Sequence, residues 1–268
     1  MNARTAELIL GPVRSIRRAA VLWTIFIAAM VFITVAVWPA FKGSSGITQA
    51  MDQLPQGVIQ AFGLEGFGTP AGFLRGNLYD FFIPLLMTGA AVGFANSLTS
   101  SEEDAGRLEL TLAQPITRQA IFLGRTLAVF GCVVAITIIT ALVQFGSDAL
   151  FGLQIATDRL LATLVLCGLL ALFVAALTLA IAGLAGRPSL VLGAGLFVAV
   201  GGAIVAALFP LSSALAELAH ISPWDWAFGG DPLINPTDLW RYLVLAVPAG
   251  LLVVAAVWAF CRRDISAA

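Results

Sequence analysis

The sequence predicts an all-α integral membrane protein: six transmembrane helices, an N-terminal amphipathic helix, one charged loop helix on the inner side, and apolar loop helices on the outer side. Three observations carry that reading. Of 268 residues, 60% are hydrophobic and only 11% are charged, too few charges to solvate a globular domain of this length. Six apolar runs reach the roughly 20 residues that a helix needs to cross a bilayer. Arginines collect at alternate ends of those runs. The net charge of −1 and the pI near 5.8 argue against a basic, nucleic-acid-binding chain.

The runs fall at roughly 19–40, 77–98, 120–145, 159–184, 189–209 and 239–260. With the N-terminus in the cytoplasm, Arg4, Arg14, Arg17, Arg18, Arg107, Arg118, Arg125, Arg187, Arg262 and Arg263 lie inside. Only Lys42, Arg75, Arg159 and Arg241 remain outside, the last two with Asp158 and Asp238 close by. This positive-inside bias makes the chain a multi-pass protein of the cell (inner) membrane with both termini cytoplasmic. Trp23 and Trp38 bracket the first run, and Trp240 and Trp258 the sixth, as an interfacial aromatic belt requires. Arg125, near the start of the third run, is placed to snorkel to the interface.

Residues 1–18 read as a short amphipathic helix on the inner leaflet, broken near Gly11-Pro12, with Arg14, Arg17 and Arg18 at anionic head groups. The run that follows is long enough to be retained as a span rather than cleaved. Residues 41–76 and 210–238 are too apolar for solvated loops and too broken by Gly and Pro for spans. Short helices and turns at the outer face are expected there. Gly193, Gly195, Gly201 and Gly202 make the fifth run a close-packing helix. No linker composition interrupts the chain, so residues 1–268 form one domain.

One segment departs from this pattern. "SSEEDAGRLELTLAQPITR", residues 100–118, holds six of the 29 charged residues of the chain. Ser100 or Ser101 can cap a helix whose first turn carries Glu102, Glu103 and Asp104, and both serines fit the capping-box spacing. The acids complement the helix dipole. Leu108 and Leu112 share a face, and Pro115 ends the helix. A mere connector needs only a few polar residues. A capped amphipathic rod fixed to two membrane helices is suited to dock in a groove of an inner partner and transmit motion.

"EEDAGRLELTLAQPITRQAIFLGR" resembles the loop after the second span in permeases of ABC-2-type exporters. The matching residues are Glu102, Glu103, Gly106, Leu108, Leu110, Leu112, Pro115, Arg118, Gly124 and Arg125. Leu54-Pro55 and Phe62-Gly63 in the first outer loop, Ser222 to Trp224 before the last span, and Arg262 to Asp264 at the end are similar to the same family. The resemblance implies the membrane subunit of an ATP-driven exporter. That subunit pairs with a second copy or a paralogue, and the dimer carries two ABC ATPase subunits. Residues 99–118 would be the coupling helix, with Glu102, Glu103, Gly106, Arg107, Leu108, Glu109, Leu112, Pro115 and Arg118 at the ATPase cleft. The N-terminal segment would be the second contact. ATP and Mg would be bound by the partner ATPase, with no cofactor in this chain. A phosphate-binding GxxxxGK[ST] loop needs a lysine beside Ser or Thr, whereas the single lysine, Lys42, precedes Gly43.

Enzyme readings fare less well. Glu102, Glu103 and Arg107 fit EExxxR, the first motif of intramembrane CAAX-protease-like metalloproteases, but His220 is the single histidine where those sites need more. "GSSG", residues 43–46, fits a GxSG nucleophile turn, yet Ser45 lies in an outer loop. No catalytic or metal-binding residue is assigned. Cys132, Cys167 and Cys261 are scattered and read as apolar filler. Ion channels and secondary transporters place charges within spans. Here Asp80, which can line a pathway or pair with Arg75, and Gln144 are the candidates. So apolar a pathway suits a lipid-like or amphipathic cargo.

Overall fold

The computed structural model describes residues 3–42, 55, 66, 68–108 and 115–263. Six helices are long and apolar enough to cross a membrane, and no strand occurs among the described residues. The chain is therefore an all-α membrane protein.

Helix α1, Ala3–Phe41, holds the first span and runs unbroken through Gly11-Pro12. The expected break is absent, and the environment explains why. A proline inside a helix costs about 3 kcal/mol, whereas each unpaired backbone group in apolar surroundings costs several. Gly11 presents nothing within 4 Å of an added Cβ, and the Ser15 hydroxyl donates to the Pro12 carbonyl at 2.7 Å. At 1.5 Å per residue α1 is about 58 Å long, longer than a bilayer core. Its start is amphipathic as expected: Arg14, Arg17 and Arg18 are exposed while Ile16 is buried.

The second span is composite. Helix α2, Pro70–Leu74, passes into a π-helical turn, Arg75–Tyr79. After Asp80 and Phe81 the chain resumes as α3, Phe82–Leu98, and Thr99 leads into α4, Ser100–Asp104. Thr69 caps α2 by accepting from the Gly72 amide, and Pro70 takes the first helical position, where its missing N–H is harmless. The other spans are α5, Arg118–Phe151, α6, Thr157–Ala185, α7, Pro188–Leu208, and, after an intervening segment, α10, Leu239–Arg262. Between α7 and α10 lie a 3-10 turn, Phe209–Leu211, then α8, Ala216–Ala219, and α9, Pro223–Phe228. These short helices and turns match the sequence expectation for residues 210–238.

Helix α6 is the axis of the bundle: 72% of its most apolar window is buried, against 17% for the first span and 22% for α7 and for α10. It packs on α3, α5, α7 and α10, while α1 lies along α5. Between lipid-embedded helices the contact is made by close packing rather than by escape from water, so small residues decide it. A Cβ on Gly183 would stand 2.7 Å from the Ala256 carbonyl oxygen of α10, and one on Gly195 2.7 Å from the Thr178 hydroxyl of α6. Gly202 is pressed against Trp224, but Gly193 and Gly201 face open space, so half of the expected glycine packing is present.

Two tryptophan assignments divide. Trp240 and Trp258 are exposed and each carries an arginine over its ring, Arg241 at 4.7 Å and Arg262 at 4.3 Å. At helical rise they stand about 27 Å apart, near the thickness of the hydrocarbon core. Trp38 is instead buried against Phe73, with ring centroids 5.3 Å apart, so it packs the bundle rather than marking an interface.

The segment between α7 and α10 is tied down by cations. Arg75 pairs with Asp80 and with Asp231, both at 3.1 Å. Arg159 donates to the Ile234 carbonyl. Arg241 donates to the carbonyls of Asp225 at 2.9 Å and Trp226 at 3.1 Å, closing the end of α9. Arg159 and Arg241 thus serve backbone carbonyls rather than the neighbouring Asp158 and Asp238 that the sequence suggested.

Candidate functional site

The charged loop gathers at the end of the bundle where α1 begins. Thr99, not Ser100 or Ser101, takes the N-cap position of α4, and no side chain caps it. The Thr99 hydroxyl donates back to the Ala95 carbonyl, and Ser100 is buried. The Thr99 carbonyl accepts from the amides of Glu102 and Glu103, both at 3.1 Å. α4 ends at Asp104 because Gly106 follows with φ +69°. A left-handed glycine just past the last turn is the common way to close a helix, and its amide donates to the Glu103 carbonyl at 2.9 Å. The single rod expected as far as Pro115 is therefore interrupted at Ala105–Gly106, and Arg107 and Leu108 are helical again. Residues 109–114 lie outside those described, so Glu109 and Leu112 are not placed. Leu108 is buried in the core cluster that holds Phe122 and Phe260. Pro115 lies in a bend, and Thr117 caps α5 by accepting from the Ala120 amide at 3.2 Å. Arg118 is thus the first residue of the third span.

The two glutamates are answered by arginines from three different elements. Glu102 accepts from Arg107, at 2.9 Å from Nε and 2.7 Å from Nη2, which raises the guanidinium pKa further. Glu103 pairs with Arg263, the residue after α10. Arg125 of α5 is buried and feels both carboxylates, Glu102 first. It is buried in the packed bundle rather than extended to the interface. Arg263 does more than pair: its Nη1 donates to the Ala182 carbonyl of α6 at 3.0 Å, and its own carbonyl accepts from Arg118 Nη1 at 3.0 Å. Asp104, Ala105, Gly106 and Arg107 stay exposed.

Glu102, Glu103, Arg107, Leu108 and Arg118 thus come together, and Arg263 joins them. Sequence reasoning did not assign Arg263 to this site. Its signal was the basic pair closing the last apolar run, which marks a membrane side but not a partner. Arg14, Arg17 and Arg18 lie on the exposed face of α1.

The remaining candidates are engaged elsewhere. Asp80 is held by Arg75. Gln144 is fully buried and accepts from the Tyr79 hydroxyl at 2.8 Å, joining the second and third spans inside the chain. The hydrolase reading needs carboxylates free to activate water, whereas Glu102 and Glu103 are held by guanidinium groups. Among the described residues no group of three His, Cys, Asp or Glu is placed to hold a metal ion. Ser45 lies outside the described residues. His220 sits 2.9 Å from Asp225 at the exposed turn before α9, where that carboxylate raises its pKa.

Six apolar helices long enough to cross a bilayer, with a pinned charged loop between the second and the third, define a multi-pass α-helical membrane protein. The family of ABC-2 family transporter proteins matches residues 12–264, nearly the whole sequence, and the chain belongs to that family. A comparison with curated proteins finds no match.

Proposed function

We propose that this chain is the membrane-spanning permease subunit of an ATP-driven exporter. It forms the substrate pathway with a second copy or a paralogue, and receives work from two separate ATPase subunits on the cytoplasmic side. The charged-loop end faces the cytoplasm in this reading, in keeping with the arginine distribution. ATP and Mg belong to the partner.

One observation carries the reading. The loop that holds α4 is clamped by Glu102 and Glu103 to arginines of its own chain, while Asp104–Arg107 are exposed. A solvated connector has no use for a buried arginine and a three-way arginine bridge behind it. A lever needs both, a rigid root and an exposed tip. The tip is polar and short, suited to a cleft on a soluble partner, and its root joins α3 directly and α5 through Arg118.

The test is co-purification of the tagged permease with an ATPase encoded beside it, followed by transport measured against ATP turnover. Glu103→Gln and Arg118→Ala should leave insertion and abundance intact and lower transport per ATP hydrolysed by about tenfold, as expected for loss of charge-assisted hydrogen bonds. Normal export by both variants at equal abundance would overturn the coupling assignment.

A further inference from the structure

Chain connectivity carries motion of α4 only into its sequence neighbours, α3 and α5. The central helix α6 and the lipid-facing helix α10 are reached in another way, through Arg263. Its guanidinium is shared between Glu103 of α4 and the Ala182 carbonyl in the last turn of α6. Its backbone carbonyl holds Arg118 at the start of α5, and the residue itself closes α10. The turn after α6 is moulded to it: a Cβ on Gly186 would lie 2.5 Å from Arg263 Nη1, so any side chain there would displace the guanidinium. Both members of the ion pair are mostly buried, at 16% and 23% side-chain exposure, which spares the pair most screening by water. A planar guanidinium can hold a carboxylate and a carbonyl at once in fixed directions, which a lysine cannot.

We propose that Arg263 is a positioning residue that converts displacement of the loop helix into displacement of α6 and α10. This deepens the coupling reading above and rests on it. A push at Asp104–Arg107 moves Glu103. Glu103 draws Arg263, and Arg263 carries the last turn of α6 and the end of α10 with it. The four helix ends then move as one body rather than α3 and α5 alone.

Hydrogen exchange on the full-length chain tests this in two arms. In the permease alone, Arg263→Gln should speed exchange about tenfold both at 100–108 and at 183–187, the loss expected for charge-assisted hydrogen bonds. Glu103→Gln should loosen 100–108 from the other side of the same pair, and Arg263→Lys should restore part of the protection at 100–108. Unchanged exchange at 183–187 in Arg263→Gln would overturn the clamp. In the complex with the co-purified ATPase, a non-hydrolysable ATP analogue should alter exchange at both segments in the unsubstituted protein. With Arg263→Gln it should alter only 100–108, while the ATPase stays bound. An equal response at 183–187 in that variant would overturn the relay. Absence of any associating ATPase would sink the coupling reading instead, and the first arm would still decide the clamp.

Discussion

Arg75 shows what single side chains contribute here. It stands between Asp80 and Asp231 and joins the broken second span to the segment between α7 and α10. Replacing it with Met leaves two carboxylates facing each other. These groups are partly exposed, so the cost falls between surface and buried pairs, about 1–2 kcal/mol. It should appear as a lower thermal midpoint of the detergent-solubilised protein, with Asp80→Asn milder. His220 is the residue whose charge changes near neutral pH. Asp225 beside it favours the imidazolium, helped by Glu217 and opposed by Arg241, so the folded pKa lies above the ordinary value. The resulting stabilisation is fully present below pH 6.5 and is lost as pH rises through the raised pKa. Protection factors across 216–228, each taken relative to the unstructured exchange rate at the same pH, should therefore be higher at pH 6 than at pH 8, and His220→Gln should abolish the difference. The glutamate pair of the loop was legible as chemistry, because acids at a helix start are rare in so apolar a chain. Their partners were not, since Arg125 and Arg263 lie 23 and 160 residues from Glu102 and Glu103 and only folding brings them near.

Among the elements, all six spans were readable from apolar run length, because the bilayer sets that length directly. Ends and interruptions were harder. α4 starts where its acids said it would, but the helix is interrupted at Gly106, with Arg107 and Leu108 helical beyond it. A glycine can end a helix or be carried through one, as Gly11 is in α1, and the choice depends on what the following residues bury. Here Leu108 enters the core. The π-helical turn at Arg75–Tyr79 left no sequence signature, since what it holds are pairings with distant residues, Arg75 with Asp231 and Tyr79 with Gln144. Helix contacts follow the glycines that meet another backbone. Gly183→Val should lower the thermal midpoint by several degrees, because the Ala256 carbonyl cannot yield without moving α10. Gly193→Ala, facing open space, should leave it unchanged within error.

Over the whole molecule, the alternation of ends expected from the arginines agrees with the contacts. α4, the start of α5, the end of α6 and the end of α10 meet through Arg263, and the residues around Arg75, Arg159 and Arg241 meet at the opposite end. The proposed orientation then has one consequence in intact cells. With the native cysteines replaced, Asp104→Cys should resist a membrane-impermeant maleimide added from outside, and Ile221→Cys should react with it. The reverse pattern would invert the topology and remove the loop from any cytoplasmic partner.

The amino-acid sequence by itself determined that this chain lives in a bilayer, how many times it crosses, which ends share a side, and that its charge is concentrated in one loop. Those properties depend on residue type and run length alone, which a uniform apolar solvent reads position by position. Only the tertiary structure decided which arginine answers which glutamate, that α6 is the central helix, that Trp38 packs inward, and that Gln144 bonds Tyr79. Those are pairings between distant residues. Their energies depend on distance and burial, and neither exists until the helices have packed.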